Sequence, residues 1–261
     1  MSFSEVLKES INSLAENGFI FSNESQFQFN LAWELQKKGY EVFFEVLALE
    51  NDSFESFSSG KCKKSYIDLV VKGKDGNLFA IELKYKTPQK NYEYNTKRGK
   101  SYTFSQGAPD LGAFLFWEDV KRLEGLGTSN LVLNFNNDIK ITKKYAILLT
   151  NDKNYWTESP KSLCKEFFPY KDKTASDRLC WHILIDKQSR ERISGKSKRN
   201  ESIEEYRICD LEDAKRYSYL NNKYKCVEPI IIKGNYTCKW FDYPCPTECL
   251  PSFRYLILEI D

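Results

Sequence analysis

Two short apolar runs carry charged residues of the kind that hold a hard cation against a phosphate. The run YIDLVV (66–71) contains Asp68, and FAIELKYK (79–86) contains Glu82 and Lys84. Carboxylate oxygens are the ligands Mg²⁺ prefers, and residues two apart on an extended strand share a face, so Lys84 projects beside Glu82. The backbone carbonyl of Leu83 lies between them and is a third candidate ligand. Carboxylates brought close together repel, and one takes up a proton unless a cation neutralises them. A divalent cation keeps both ionised, polarises a phosphate oxygen and lowers the pKa of water. The competing reading is a half-buried strand with a solvated face, and for Glu82 and Lys84 alone it is the preferred one. Asp68 set in an otherwise apolar run, and the Glu-x-Lys break in a second such run, favour a site.

Several elements must position these groups. KGKDGN (72–77) has the Asp-Gly signature of a tight hairpin, which pairs the two runs antiparallel and draws the carboxylates together. Residues 24–38 place Phe27, Leu31 and Leu35 at helical spacing, with Asn23 as N-cap and Gly39 just past the end. Glu24 in its first turn and Glu34 in its third are acidic candidates for the site; an acid at a helix N-terminus is equally explained by the macrodipole. A strand follows over 40–50, where Glu45 faces the site or is merely exposed. Residues 105–126 read as a second helix with Leu111, Leu115 and Val120 or Leu123 turned inward. Gln106 and Asp110 share a face near its start, and Pro109 sits in its first turn. Asp119 and Arg122 read as a surface or supporting pair, not as catalytic groups. KKYAILLTND (143–152) reads as a further buried strand.

Asp68 followed by Glu82-Leu83-Lys84 resembles the core of the PD-(D/E)xK nuclease superfamily, with Ile67 where the motif's name has proline. The resemblance spans roughly residues 20–152. It implies an α/β fold of restriction-endonuclease-like type, a mixed central β-sheet flanked by helices. It also implies a Mg²⁺-dependent deoxyribonuclease, with Mn²⁺ able to substitute, acting as a restriction-type or defence endonuclease. In that reading Asp68, Glu82 and the Leu83 carbonyl hold the metal and Lys84 positions water or stabilises phosphate charge. Glu24 completes the acidic set, by likeness to the Glu-x-x-x-Gln pattern of related sequences, and Gln106 orients water or substrate. DNA is the expected partner, with a homodimer or a partner subunit where both strands are cut. The reading from a different class is a nucleic-acid-binding protein that keeps the fold without catalysis or needs a partner for it.

Composition narrows the field. At 261 residues and 41% hydrophobic the chain suffices for a nuclease-like core over 1–155 and a β-rich C-terminal extension over 156–261, either part of the same sheet or a small module. No apolar run is long enough for a bilayer and the first residues lack signal-peptide character, so a cytoplasmic protein with no membrane partner is expected. The single histidine, His182, excludes histidine-rich metal hydrolases and most triads. Eight cysteines read as reduced thiols; Cys226, Cys238, Cys245 and Cys249 cluster without a Cys-x-x-Cys. The net charge of +2 hides an asymmetry: residues 1–55 carry ten acids against three lysines, and 61–100 carry eleven bases against four acids. Residues 187–200 hold six bases and one acid, a loop suited either to phosphate contact or to simple solvation. The lysine and tyrosine interleaving over 86–104 suggests a substrate-contacting loop.

Overall fold

The computed structural model describes residues 1–49, 64–127, 131, 141–158, 166–186, 204–208, 229–245 and 251–261. The basic run 187–200, Cys226 and Cys249 lie outside these residues. Helix α1 (Phe3–Glu16) opens with a capping box, in which Glu5 N donates to Ser2 Oγ and Ser2 N donates to Glu5 Oε2. Helix α2 (Glu24–Lys37) starts where expected, with the Asn23 side chain accepting from Gln26 N. Just beyond its end is Gly39 at φ +90°, a left-handed position where a side chain would be strained.

The hairpin forms as its Asp-Gly turn requires. Strands β1 (Glu41–Leu49), β2 (Lys64–Lys72) and β3 (Leu78–Lys86) run antiparallel in sequence. A small ribbon, β4 (Tyr92–Thr96) with β5 (Gly99–Thr103), separates β3 from helix α3 (Pro109–Gly125). Helix α3 carries the chain over to β6 (Ile141–Thr150), which lies parallel to β3. Short strands follow: β7 (Thr174–Ala175), β8 (Arg178–Leu179), β9 (His182–Asp186), β10 (Glu204–Ile208), β11 (Ile230–Ile231) and β12 (Tyr236–Thr237). They pair as the two-stranded ladders β9 with β10, β8 with β11, and β7 with β12. Strands β13 (Trp240–Asp242) and β14 (Arg254–Ile260) return to the main sheet, whose order is β1-β2-β3-β6-β14-β13.

The result is a mixed α/β fold, a six-stranded mixed sheet with three helices among the described residues. Helices α1 and α2 cover one face through Leu7, Ile11, Phe27 and Leu31, packed on Leu69, Ile81, Leu83 and Tyr85. Helix α3 covers the other through Ala113, Phe116, Trp117 and Val120, packed on Val70, Ala80, Ala146 and Leu148. The hydrophobic faces of sheet and helices thus bury one another, the chief source of stability in such a layered fold.

Strand β1 breaks its own alternation. Val42 and Phe44 lie on the α2 side, Phe44 stacked on Phe29 with ring centroids 6.5 Å apart, whereas Val46 and Ala48 lie on the α3 side. Glu45 between them sits at φ +47° and takes no cross-strand partner. Strand β2 changes face with it, since Leu69 and Val71 point to α2 and Ile67 points to α3. Asp68 stands at that crossing.

Candidate functional site

Pairing between β2 and β3 runs from Lys72↔Leu78 to Leu69↔Ile81 and stops there. The next opposed residues are Asp68 and Glu82, where the strands part and leave β3 amides without a ladder partner. A buried amide must find an acceptor. Asp68 Oδ2 accepts from Leu83 N at 2.6 Å, and Glu24 Oε2, at the N-terminus of α2, accepts from Tyr85 N at 2.8 Å. Two acidic side chains therefore occupy the place of a strand, and their carboxylates converge on the segment carrying Glu82 and Lys84. Gln28, one turn after Glu24, locks the kink by donating to the Asp68 carbonyl at 2.8 Å and to Glu45 Oε1 at 2.9 Å.

Helix α3 closes the other side. Lys84 Nζ meets Asp119 Oδ2 at 2.8 Å and Glu24 Oε1 at 3.9 Å, and donates to the Leu83 carbonyl at 3.3 Å. Arg122 approaches Glu82 Oε1 with Nη2 at 2.7 Å and Nε at 3.0 Å, and reaches Asp119 Oδ1 at 2.8 Å. Four carboxylates thus face Lys84 and Arg122, and Glu82 is only 1% exposed with Oε2 lacking any hydrogen-bond partner among the described residues.

Burial and crowding shift the charges. Asp68 is pushed up to about 6 by desolvation, with the Leu83 amide and Lys84 pulling the other way. Glu82 is raised well above the carboxylate range by burial and by Asp119, against the pull of Arg122. Burial disfavours the charged form of Lys84, yet Asp119, Glu24 and Asp68 more than reverse it and hold the ammonium charged. Lys86, next on the same face, is lowered by burial and by Lys84 despite attraction from Glu24 and Asp119.

Asp68, Glu82, Lys84, the Leu83 carbonyl and Glu24 come together as expected from the sequence. Other expectations are corrected. Helix α3 begins at Pro109, and Gln106 lies in the preceding loop, where its N–H donates to Pro88 O at 3.4 Å. A proline disfavours helical backbone in the residue before it, and Ala108 is left-handed at φ +56°. Gln106 and Asp110 therefore do not share a helical face, and Asp110 is exposed. Glu34 is distant in role: it accepts from Lys37 Nζ and Ser13 Oγ between α1 and α2. For Glu45 the exposed alternative holds, with Gln28 donating to it at the kink. Of the two readings of Asp119 and Arg122 the supporting one holds, since they line the cleft against Lys84 and Glu82. The cations of the β4–β5 hairpin are exposed, Lys97 donating to Glu16 O, Arg98 lying over the Phe19 ring and Lys100 pairing with Glu93.

A cavity of about 550 Å³ lies at the opposite end of the sheet, lined by Phe3, Tyr40, Lys74, Phe79 and Tyr145, and includes none of these groups. Among the described residues no three Asp, Glu, His or Cys side chains converge closely enough to close around a metal; Lys84 and Arg122 stand between the carboxylates. The donor chemistry nevertheless suits a hard divalent cation, because the oxygens are carboxylate and carbonyl and Glu82 Oε2 is buried without a partner. Among the described residues no helix is long and apolar enough to cross a membrane. No family model, curated protein or solved structure matches the chain.

Proposed function

We propose that this protein is a Mg²⁺-dependent nuclease that hydrolyses DNA phosphodiester bonds, of the PD-(D/E)xK kind and acting as a restriction-type or defence endonuclease. The observation that carries the reading is the parting of β2 from β3 at Asp68 and Glu82, which gathers carboxylates and a charged lysine in one cleft. A helix leading into the sheet, α2, and another following the Glu-x-Lys strand, α3, support the reading.

Asp68 and Glu82 would hold the cation together with the Leu83 carbonyl, Glu24 standing beside them. The cation supplies Lewis-acid polarisation of a phosphoryl oxygen and a more acidic water. In hydrolysis the oxygen of water bonds to phosphorus as the ester P–O bond breaks, and the leaving oxygen takes up a proton. Lys84, kept cationic and oriented by Asp119, offsets the negative charge that grows on the phosphoryl oxygens. Arg122 holds Glu82 in place and limits repulsion among the acids until a cation does so. Each site cuts one strand, so duplex cleavage calls for a homodimer or a partner subunit.

Linear and closed-circular DNA incubated with Mg²⁺ or Mn²⁺ test the reading, alongside Lys84→Ala and Asp68→Ala. Cleavage by the wild type alone, abolished by EDTA, is the expected result, and loss of the closed circle marks an endonuclease. The second reading is favoured by one observation: Arg122 already neutralises Glu82, as a fold kept for binding would need. DNA binding without metal-dependent cleavage is its signature.

A further inference from the structure

Lys84 and Lys86 occupy the same face of β3 but differ in their commitments. Lys84 is engaged by Asp119, the Leu83 carbonyl and the nearby Glu24. Lys86 forms no ion pair among the described residues. Its stem runs over the bare backbone of Gly112 in α3: a Cβ at that glycine would lie 3.1 Å from Lys86 Cε and 3.2 Å from Cδ, and would overlap the Tyr155 hydroxyl. That hydroxyl is fixed in turn by donating to Pro109 O at 3.1 Å. Helix and strand therefore leave a slot for the lysine stem and direct a half-buried cation along the row begun by Glu82 and Lys84. A buried charge without a partner is costly, and one retained in a cleft is explained by an anion that arrives with a ligand.

Two strand residues advance ~7 Å, on the order of one backbone step between successive phosphates. We propose that Lys86 binds the phosphate adjacent to the one at the Asp68–Glu82 cleft, so that the preferred substrate is a polynucleotide strand gripped at successive phosphates. This rests on the nuclease reading and names the substrate class and the residue that recognises it.

Binding of fluorescently labelled single- and double-stranded DNA oligonucleotides to the full chain, measured by anisotropy with Ca²⁺ replacing Mg²⁺ across a salt series, tests this. Lys86→Met weakens binding about tenfold and lowers the slope of log K against log salt by about one, while Lys86→Arg retains both. In turnover with Mg²⁺, Lys86→Met raises KM for the oligonucleotide far more than it lowers kcat. An unchanged affinity and salt slope in Lys86→Met overturns the proposal, as does weaker binding with an unchanged slope, which marks a packing role. Lys86→Gln, compared by circular dichroism and melting temperature, guards against a folding defect of the first variant and must show the same slope change. Hydrolysis of bis(p-nitrophenyl) phosphate by the wild type separates the two readings: with it intact, a failure in the binding series belongs to Lys86 alone. A wild type that neither hydrolyses this ester nor binds DNA overturns both.

Discussion

Two regions of this molecule bury a glutamate, and they treat it differently. Between α1 and α2, Glu34 has both oxygens served, Oε1 by Lys37 at 2.7 Å and Oε2 by Ser13 at 3.2 Å. In the cleft under α3, Glu82 has Oε1 gripped twice by Arg122 and Oε2 without a hydrogen-bond partner among the described residues, while burial, then Asp119 and Asp68, raise its pKa. A carboxylate that only braces two helices is saturated by its neighbours. One that leaves an oxygen unmet and gathers further acids around it spends stability on something the folded chain does not itself complete.

The sharpest way to break this comparison is to neutralise each side. Asp68→Asn or Glu82→Gln should lower DNA cleavage on the order of a thousandfold in a gel assay with Mg²⁺. Glu34→Gln should leave the cleavage rate as in the wild type; equal losses from both regions would erase the distinction. Next in size is Arg122→Met, which strands Glu82 without a counter-charge and should cost about 3 kcal/mol in urea denaturation without metal. Added Mg²⁺ should restore more stability to this variant than to the wild type, and an equal gain would detach Arg122 from the metal site.

The pH dependence gives a third comparison. The Asp68 pKa is raised from 3.8 to about 6, so the folded state binds this proton more tightly than the unfolded chain. Its contribution to stability is fully present below about pH 3.8 and lost as pH rises through about 6. Without metal, Asp68→Asn should therefore exceed the wild type in stability above pH 6 by as much as about 3 kcal/mol and match it near pH 4. A gap that widens on acidification would contradict the assignment. The smallest effect is Glu34→Gln on stability, about 1 kcal/mol by thermal melting, since its ion-pair partner Lys37 is exposed.

What the sequence made legible was local. Asp68, Glu82 and Lys84 could be grouped because a short hairpin joins their strands, and Glu24 because the Asn23 cap fixes where α2 begins. Helix α3 ends at Gly125, within one residue of the expected 126, but starts at Pro109 and not at 105. Pro109 forbade a helix through Ala108, a signal present in the chain, and it put Gln106 in a loop. Asp119 falls on the stripe Gly112, Phe116, Asp119, Leu123, so an acid interrupts the buried face, a placement that favours the supporting over the surface reading of Asp119 with Arg122. Glu45 was beyond reach, because a left-handed glutamate that turns two strands over at once has no signature in residue type. Lys86 was passed over because its slot exists only where the backbone of Gly112 meets β3.

Strand β6 has a consequence for how the chain folds. It lies between β3 and β14, with Glu82 opposite Ala146 and Ile147 opposite Ile257, so both of its edges wait for segments distant in sequence. Such pairings close slowly, because a long loop must be ordered before any contact rewards it. During that interval the run Ala146–Leu149 presents unpaired apolar edges to other nascent chains, and aggregation at high expression temperature is the natural hazard of this topology.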